Sequence, residues 1–150
     1  MKMHRALYLA AAALALATAP ARGEVSVAAV SISGSVTGDP ETVVFSGEAR
    51  IHNKLVRDPD FNSPRYILTI DMSGVSGVGS QTLKKYAIAG PAIQQKTVAA
   101  AHVVDITFPF QESGSVALDA RSGAASFAIS FDAATGAITA ATGSVASPRF

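Results

Sequence analysis

Apolar and polar residues alternate in short runs along most of the chain. Residues 42–56 show this most clearly, because one parity is apolar and the other is polar. The apolar set is Val43, Phe45, Ala49, Ile51 and Leu55, and the polar set is Ser46, Glu48, Arg50, His52 and Lys54. Successive side chains of a strand point to opposite faces of a sheet. The run therefore predicts an antiparallel strand with one buried face and one solvated face.

Similar runs recur, separated by turn signals such as Gly38-Asp39-Pro40 and the segment from Asp132 to Gly136. They cover residues 25–36, 65–72, 83–89, 98–108, 116–120, 124–131 and 137–145. Short strands at this spacing predict an all-β fold. We expect a single antiparallel β-sandwich of about eight or nine short strands, with a small β-barrel as the alternative.

Four places depart from simple alternation. The apolar phase slips at Ala28-Ala29, which predicts a β-bulge. Residues 73–80 are rich in Gly and Ser and predict a flexible connection or an irregular edge. Residues 92–97 fit either a strand or a short helical turn after Pro91. Pro109 follows a long apolar run and predicts an edge or a bulge there.

The composition agrees with a β-fold. After residue 23, Val and Ile together number 23, whereas Leu numbers 4. β-branched side chains lose rotamer freedom in a helix but pack well on a pleated surface. No run after residue 23 is apolar and long enough to cross a membrane as a helix.

The first residues have the three parts of a secretory signal peptide. Lys2 and Arg5 precede an apolar segment rich in Ala and Leu, and Ala19-Pro20-Ala21 forms an A-x-A cleavage pattern. The apolar segment is shorter than the roughly 20 residues that a membrane span needs. We expect residues 1–21 to be removed, with cleavage as late as residue 23 as an option. Residues 24–150 would then form one domain in the periplasm or outside the cell.

Charge and cysteine content exclude several classes of protein. A formal net charge of +1 gives no electrostatic reason to expect a nucleic-acid partner. The chain has no Cys, so it forms no disulfide, carries no lipid on a cysteine and has no thiol nucleophile. No G-x-S-x-G elbow is present either. We therefore expect the stability of an exported domain to come from its core alone.

Two histidines are the candidates for acid–base or metal chemistry. His52 lies on the polar parity of its strand, and His102 shares the parity of Val104 and Ile106. Pairing either one with Asp71 or Asp105 would make a catalytic or metal site if the strands were neighbours. The alternative is one surface histidine and one half-buried histidine, and this is the interpretation that the sequence favours.

The only cofactor candidate in the sequence is calcium. Asp58, Asp60 and Asn62 place oxygen ligands at alternate positions, as the first half of a calcium loop does. An EF-hand would need Gly at position 63 and Glu at position 69, where this chain has Ser63 and Thr69. A looser calcium loop remains a hypothesis. The simpler interpretation is a turn stabilised by Asp, Asn and Pro.

Three functions fit these observations. The first is an exported soluble β-sandwich that acts as a non-catalytic binding or structural module, with a protein, small-molecule or glycan partner. The second is an exported enzyme or metal-binding domain that uses His52 or His102 with nearby carboxylates. The third is a fibre subunit assembled by strand exchange through residues 25–36 or 137–145. An outer-membrane barrel is disfavoured by the small number of aromatic residues.

Overall fold

All regular secondary structure in the described residues is β-strand. The computed structural model describes residues 25–57, 63–115 and 120–149. Its strands are β1 (Ser26–Val36), β2 (Val43–Val56), β3 (Arg65–Asp71), β4 (Val75–Gly79), β5 (Lys85–Ile88), β6 (Ala92–Thr97), β7 (Ala101–Glu112), β8 (Arg121–Phe131) and β9 (Ile138–Ala146). Within these residues no helix has the length and apolar character needed to cross a membrane. The predicted signal peptide, residues 1–21, lies outside the described residues.

The nine strands form one mixed, mostly antiparallel sheet that closes into a ring. Their order is β1-β9-β8-β7-β5-β4-β2-β3-β6, and β1 also pairs with β2. Closure depends on the 14-residue strand β2, which pairs along one edge with β1. Along its other edge β2 pairs first with β4 and then with β3. Seven strands therefore complete the ring, and β3 and β6 extend from it.

The parallel strands β1 and β9 meet at a seam with a single backbone pair, Gly34 with Val145. Glycine is required at this point because a Cβ on Gly34 would run into the carbonyl oxygen of Val145. Serine hydroxyls bond across the seam at both ends. Ser26 Oγ accepts from Ile138 N at 2.9 Å, and Ser147 Oγ accepts from Thr37 N at 2.9 Å. Side chains thus supply hydrogen bonds that a longer ladder would provide.

The core lies inside the ring and is built from the apolar parity of each strand. The Phe45 ring on β2 meets Phe108 and Phe110 of β7 edge to face, with centroids 5.5 and 4.9 Å apart. Tyr66 on β3 stacks on Phe131 of β8 at 4.5 Å. These contacts join β2 and β3 to β7 and β8, so the two sides of the sheet share one core.

The all-β prediction and the predicted inward faces are confirmed, but the segment 73–80 differs. It contains β4, which pairs with both β2 and β5. A Cβ at Gly77 would lie 2.5 Å from Val43 and 2.8 Å from Phe45. The glycine therefore makes room for an aromatic ring, which explains why this strand lacks the apolar pattern of the others. Residues 92–97 also form a strand, which pairs with β3.

The bulge predicted at Ala28-Ala29 is wrong. Strand β1 pairs with β2 without interruption from Ser26 to Val36, with Ala28 buried and Ala29 exposed. Alanine is small enough to occupy an outward position, so Ala29 does not indicate that the alternation of inward and outward residues has shifted. The irregularity in register lies instead between Ser130 and Phe131.

Pro109 lies within β7 and ends neither the strand nor its pairing. It pairs with Ser122 of β8, and its carbonyl oxygen accepts a hydrogen bond from Ala89 N at 3.2 Å. Strand β7 therefore extends to Glu112, four residues beyond the predicted end at 108. Most of the predicted strand at 116–120 lies outside the described residues.

Candidate functional site

A groove of about 660 Å³ crosses the outer face of β2 and β3 beside the connection between β5 and β6. We call it the His52 groove. Its lining includes His52, Lys54, Ile67, Asp71, Ile88 and Pro91. It forms where two neighbouring ladders are interrupted at the same level. Strands β3 and β4 follow one another along β2, and β6 and β5 pair with them in turn. The turn between β3 and β4 and the Gly90-Pro91 segment between β5 and β6 interrupt neighbouring ladders and leave a concave surface.

The register of β2 and β3 determines which side chains meet in the groove. Lys54 lies opposite Ile67, and His52 lies opposite Thr69. In the next row Arg50 lies opposite Asp71. Outward side chains on paired strands are neighbours at these positions, so cationic, apolar and acidic groups follow one another across the outer face.

Asp71 is held in its charged form at one end of the groove. One of its carboxylate oxygens accepts a hydrogen bond from Ser73 N at 2.9 Å. The pKa of Asp71 lies below its ordinary value, first because the Ser73 N–H and hydroxyl bond to the carboxylate, and then because His52 and Arg50 are close by. Local hydrogen bonds thus stabilise this negative charge.

The polar groups of the groove are not arranged for nucleophilic catalysis. A serine hydrolase needs a histidine that accepts the proton of the serine hydroxyl. Here the Ser73 main-chain N–H donates to Asp71 Oδ1 at 2.9 Å. Within the described part of the chain, no hydrogen bond joins His52 to either Ser73 or Asp71. The described residues of the groove thus hold charged and hydrogen-bonding side chains without a serine–histidine pair.

The apolar part of the groove is a feature that sequence reasoning missed. Val25, Ile67, Ile88 and Pro91 line it, and Val25 is 45% exposed. In the sequence Ile67 stands on the outward parity of its strand, and an apolar residue at an outward position was the available signal. In the structure it is half-buried. Ile88 and Pro91 belong to a different pair of strands, so no local pattern connects them with His52.

The structure divides the four proposed acid–base residues among separate places. His52 and Asp71 share the groove. The His102 ring packs edge-on against Tyr66 and Phe131, with centroids 6.2 and 6.1 Å away. Its Nε2 lies 2.7 Å from the Thr97 carbonyl oxygen and donates its proton there.

Asp105 lies on the exposed face of β7, where it pairs with Ser126. It has the opposite parity to His102, so the two side chains leave the strand on opposite faces. In the described ranges, no three His, Asp or Glu residues come together as a metal site. The calcium-loop residues Asp58, Asp60 and Asn62 lie outside the described residues, so that hypothesis stays a prediction.

A second polar cluster surrounds Glu41 at the start of β2. Its side chain is almost fully buried. Its carboxylate accepts hydrogen bonds from the main-chain N–H groups of Gln81 and Thr82, at 2.8 and 3.0 Å, and from the hydroxyls of Thr82 and Tyr86. These bonds lower the pKa of Glu41 to about 2, with the Thr82 hydroxyl contributing most. Both carboxylate oxygens are occupied, so the cluster is structural.

In the comparison with known proteins, no family model, no curated protein and no solved structure matches this chain. In the His52 groove, apolar and charged side chains of several strands converge, and such convergence is typical of small-molecule sites.

Proposed function

We propose that the protein is an exported, non-catalytic binding domain and that its ligand occupies the His52 groove. One observation carries the proposal, namely that four apolar side chains and the polar groups of His52, Lys54 and Asp71 line the same concavity. Its volume lies within the range of about 300–1,000 Å³ that is usual for small-molecule sites. Among the described residues of the groove, Ser73 bonds to Asp71 rather than to His52, and this geometry favours binding over serine-dependent hydrolysis.

Export is the part of the proposal that rests on the first 21 residues. Their charged start, apolar segment and A-x-A pattern support cleavage after Ala21, or as late as Gly23. Intact-mass measurement of the product recovered outside the cytoplasm tests this directly. We expect a chain that begins at residue 22 or 24, and recovery of the uncleaved chain in the cytoplasm would contradict export.

We further propose that the ring is flattened into two facing layers, as in a sandwich. The single β1–β9 pair supports a corner at that seam. The opposite corner is supported by β5, which makes only three residue pairs with each of its neighbours, β4 and β7. A crystal structure with a continuous β1–β9 ladder and a round cross-section would contradict this arrangement.

The fibre hypothesis gains no support from the pairing of the terminal strands. Strand β1 pairs with β2 over eleven residues, and β9 pairs along β8. A strand-exchange subunit needs a strand position that its own chain leaves open. The first strand already occupies its place in this sheet, so we favour the binding domain.

The binding proposal can be tested with 2-naphthalenemethanol, a neutral two-ring alcohol, and the purified protein expressed from the full sequence. Amide chemical shifts of ¹⁵N-labelled protein are followed during the titration. We expect saturable shifts at residues 52–54, 67–71 and 88–90, because the apolar rings displace water from the groove. Linear shifts spread over the whole surface would contradict the proposal.

A pair of matched variants locates the binding. Ile67→Glu introduces a charge into the apolar part of the groove and should abolish the saturable shifts. Val103→Glu makes the same kind of change at a residue that is 64% exposed on β7, away from the groove, and should leave them intact. Equal effects of the two variants would mean that the probe binds elsewhere.

A further inference from the structure

We infer that the ligand of the His52 groove is an amphipathic anion. Its carboxylate, sulfonate or phosphate group would meet Lys54, and its apolar part would cover Ile67 and Ile88. The inference rests on the proposed function and adds the chemical class of the ligand. The charges of the outer face and the register of β2 against β3 carry it.

Lys54 is the uncompensated charge of the groove. In the described part of the chain, its ammonium makes neither a hydrogen bond nor an ion pair. The neighbouring cation on the same face, Arg50, differs because its Nε lies 3.7 Å from Glu48 Oε1. An anion that enters the groove therefore finds a cation that no acidic side chain among the described residues has engaged.

Asp71 does not cancel the field of Lys54. Lys54 lies opposite Ile67, and Ile67 and Asp71 are four residues apart on β3. At roughly 3.3 Å per residue, this places the acidic side chain about 13 Å along the strand from the lysine row. That separation exceeds the Debye length of about 10 Å at 0.1 M salt. Asp71 is also engaged by Ser73.

The residue directly opposite Lys54 is apolar. Ile67 is its cross-strand partner, and Ile88 lines the same groove from the neighbouring pair of strands. A ligand that is only charged would leave the side chains of Ile67 and Ile88 exposed to water. A ligand that is only apolar would leave the Lys54 ammonium without an anion. A molecule with an anionic group beside an apolar body satisfies both surfaces at once.

Three naphthalene probes of nearly equal shape test the inference. They are 2-naphthoate, 2-naphthalenemethanol and 2-naphthylmethylammonium, which are anionic, neutral and cationic at pH 7. We expect the anion to bind about fivefold more tightly than the alcohol, which is the effect of one charge about 4 Å away in a solvent-exposed setting. The cation should bind more weakly than the alcohol. The preference should shrink between about 0.1 and 0.5 M salt.

Lys54→Gln should remove the preference for the anion and leave the affinity for the neutral alcohol within about twofold, because only a charge is lost. Lys85→Gln is the matched control, since Lys85 is an exposed lysine on β5 that does not line the groove. It should keep the preference.

The outcomes separate the two proposals. Equal affinities for the three probes, or a preference that survives Lys54→Gln, would overturn the amphipathic anion and leave the binding site standing. Saturable binding of none of the probes would overturn the groove as a ligand site altogether. Loss of the preference in both lysine variants would show that the net charge of the protein, rather than Lys54, attracts the anion.

Discussion

At the scale of single residues, Glu41 illustrates how one buried carboxylate joins distant parts of the chain. It binds the loop that contains Gln81 and Thr82 through main-chain and side-chain donors. Its own carbonyl oxygen accepts a hydrogen bond from Arg121 at 2.8 Å. Three segments that are far apart in sequence are thus held at one end of the ring. A charged carboxylate is needed because every one of these partners donates.

The pKa of Glu41 leads to a prediction about acid. The value is about 2 in the folded protein and 4.5 for an ordinary glutamate. A group whose pKa is lowered by folding stabilises the native state above its unfolded pKa, and this stabilisation disappears as the pH falls through the folded pKa. We expect Glu41→Gln to lower the free energy of unfolding at pH 7. Its difference from the wild type should shrink between pH 4.5 and pH 2.

Urea unfolding of both proteins at pH 7, 4.5, 3 and 2 measures this difference. Glu112→Gln is the control, because the Glu112 side chain is 42% exposed and forms an ion pair with the exposed Lys84. Exposed ion pairs contribute little, so this variant should follow the wild type at every pH. A constant gap between Glu41→Gln and the wild type down to pH 2 would show that lost packing, and not lost charge, causes its effect.

At the scale of elements, the seam between β1 and β9 is the least regular pairing in the ring. One backbone pair and two serine hydroxyls hold it. Ser26 is buried, whereas the Ser147 bond is exposed to water. The two hydroxyls therefore contribute differently to stability. A buried N–H that loses its acceptor stays unsatisfied, whereas an exposed N–H bonds to water instead.

The two serines make a matched pair of variants. Ser26→Ala should lower the free energy of unfolding by about 1–3 kcal/mol, because it leaves the buried N–H of Ile138 without an acceptor. Ser147→Ala should lower it by about 0.5 kcal/mol or less, because water replaces the hydroxyl at Thr37. Equilibrium urea denaturation gives both values. A larger loss of unfolding free energy in Ser147→Ala than in Ser26→Ala would mean that the exposed bond, and not the buried one, stabilises the seam.

At the scale of the whole molecule, a single core connects the two sides of the ring. Phe45 is fully buried and contacts two rings of β7 from β2. No disulfide contributes, because the chain has no Cys. With one core and no covalent staple, the described strands have no separate unit that would remain folded alone. We therefore expect one cooperative unfolding transition.

Phe45→Ala tests this expectation. The variant should lose about 3–5 kcal/mol, because it removes a large buried side chain and leaves a cavity. Tyrosine fluorescence and far-ultraviolet circular dichroism should still report the same midpoint. Val44→Ala is the control on the same strand, where the side chain is 50% exposed, and it should change stability by no more than about 0.5 kcal/mol. Separate midpoints for the two probes would reveal two independent units.

The sequence predicted the strands and their inward faces well, and the site only in part. Alternation in residues 42–56 and 65–72 identified the buried set correctly, including Phe45 and Tyr66. The same reasoning placed His52 on a polar face but gave no means of choosing between Asp71 and Asp105 as its neighbour. Alternation also failed to identify β4, because the inward position 77 is a glycine that makes room for the Phe45 ring instead of an apolar side chain.

What the sequence determined by itself is the class of fold and the face of each strand, because both follow from a period of two residues within one short segment. The tertiary structure alone decided which strands are neighbours. It brought together residues from distant parts of the chain, namely Gly34 with Val145, Glu41 with Thr82, and Ile88 with His52. Alternation within a strand says nothing about its partner. The ring and the groove therefore arise from packing and register between strands.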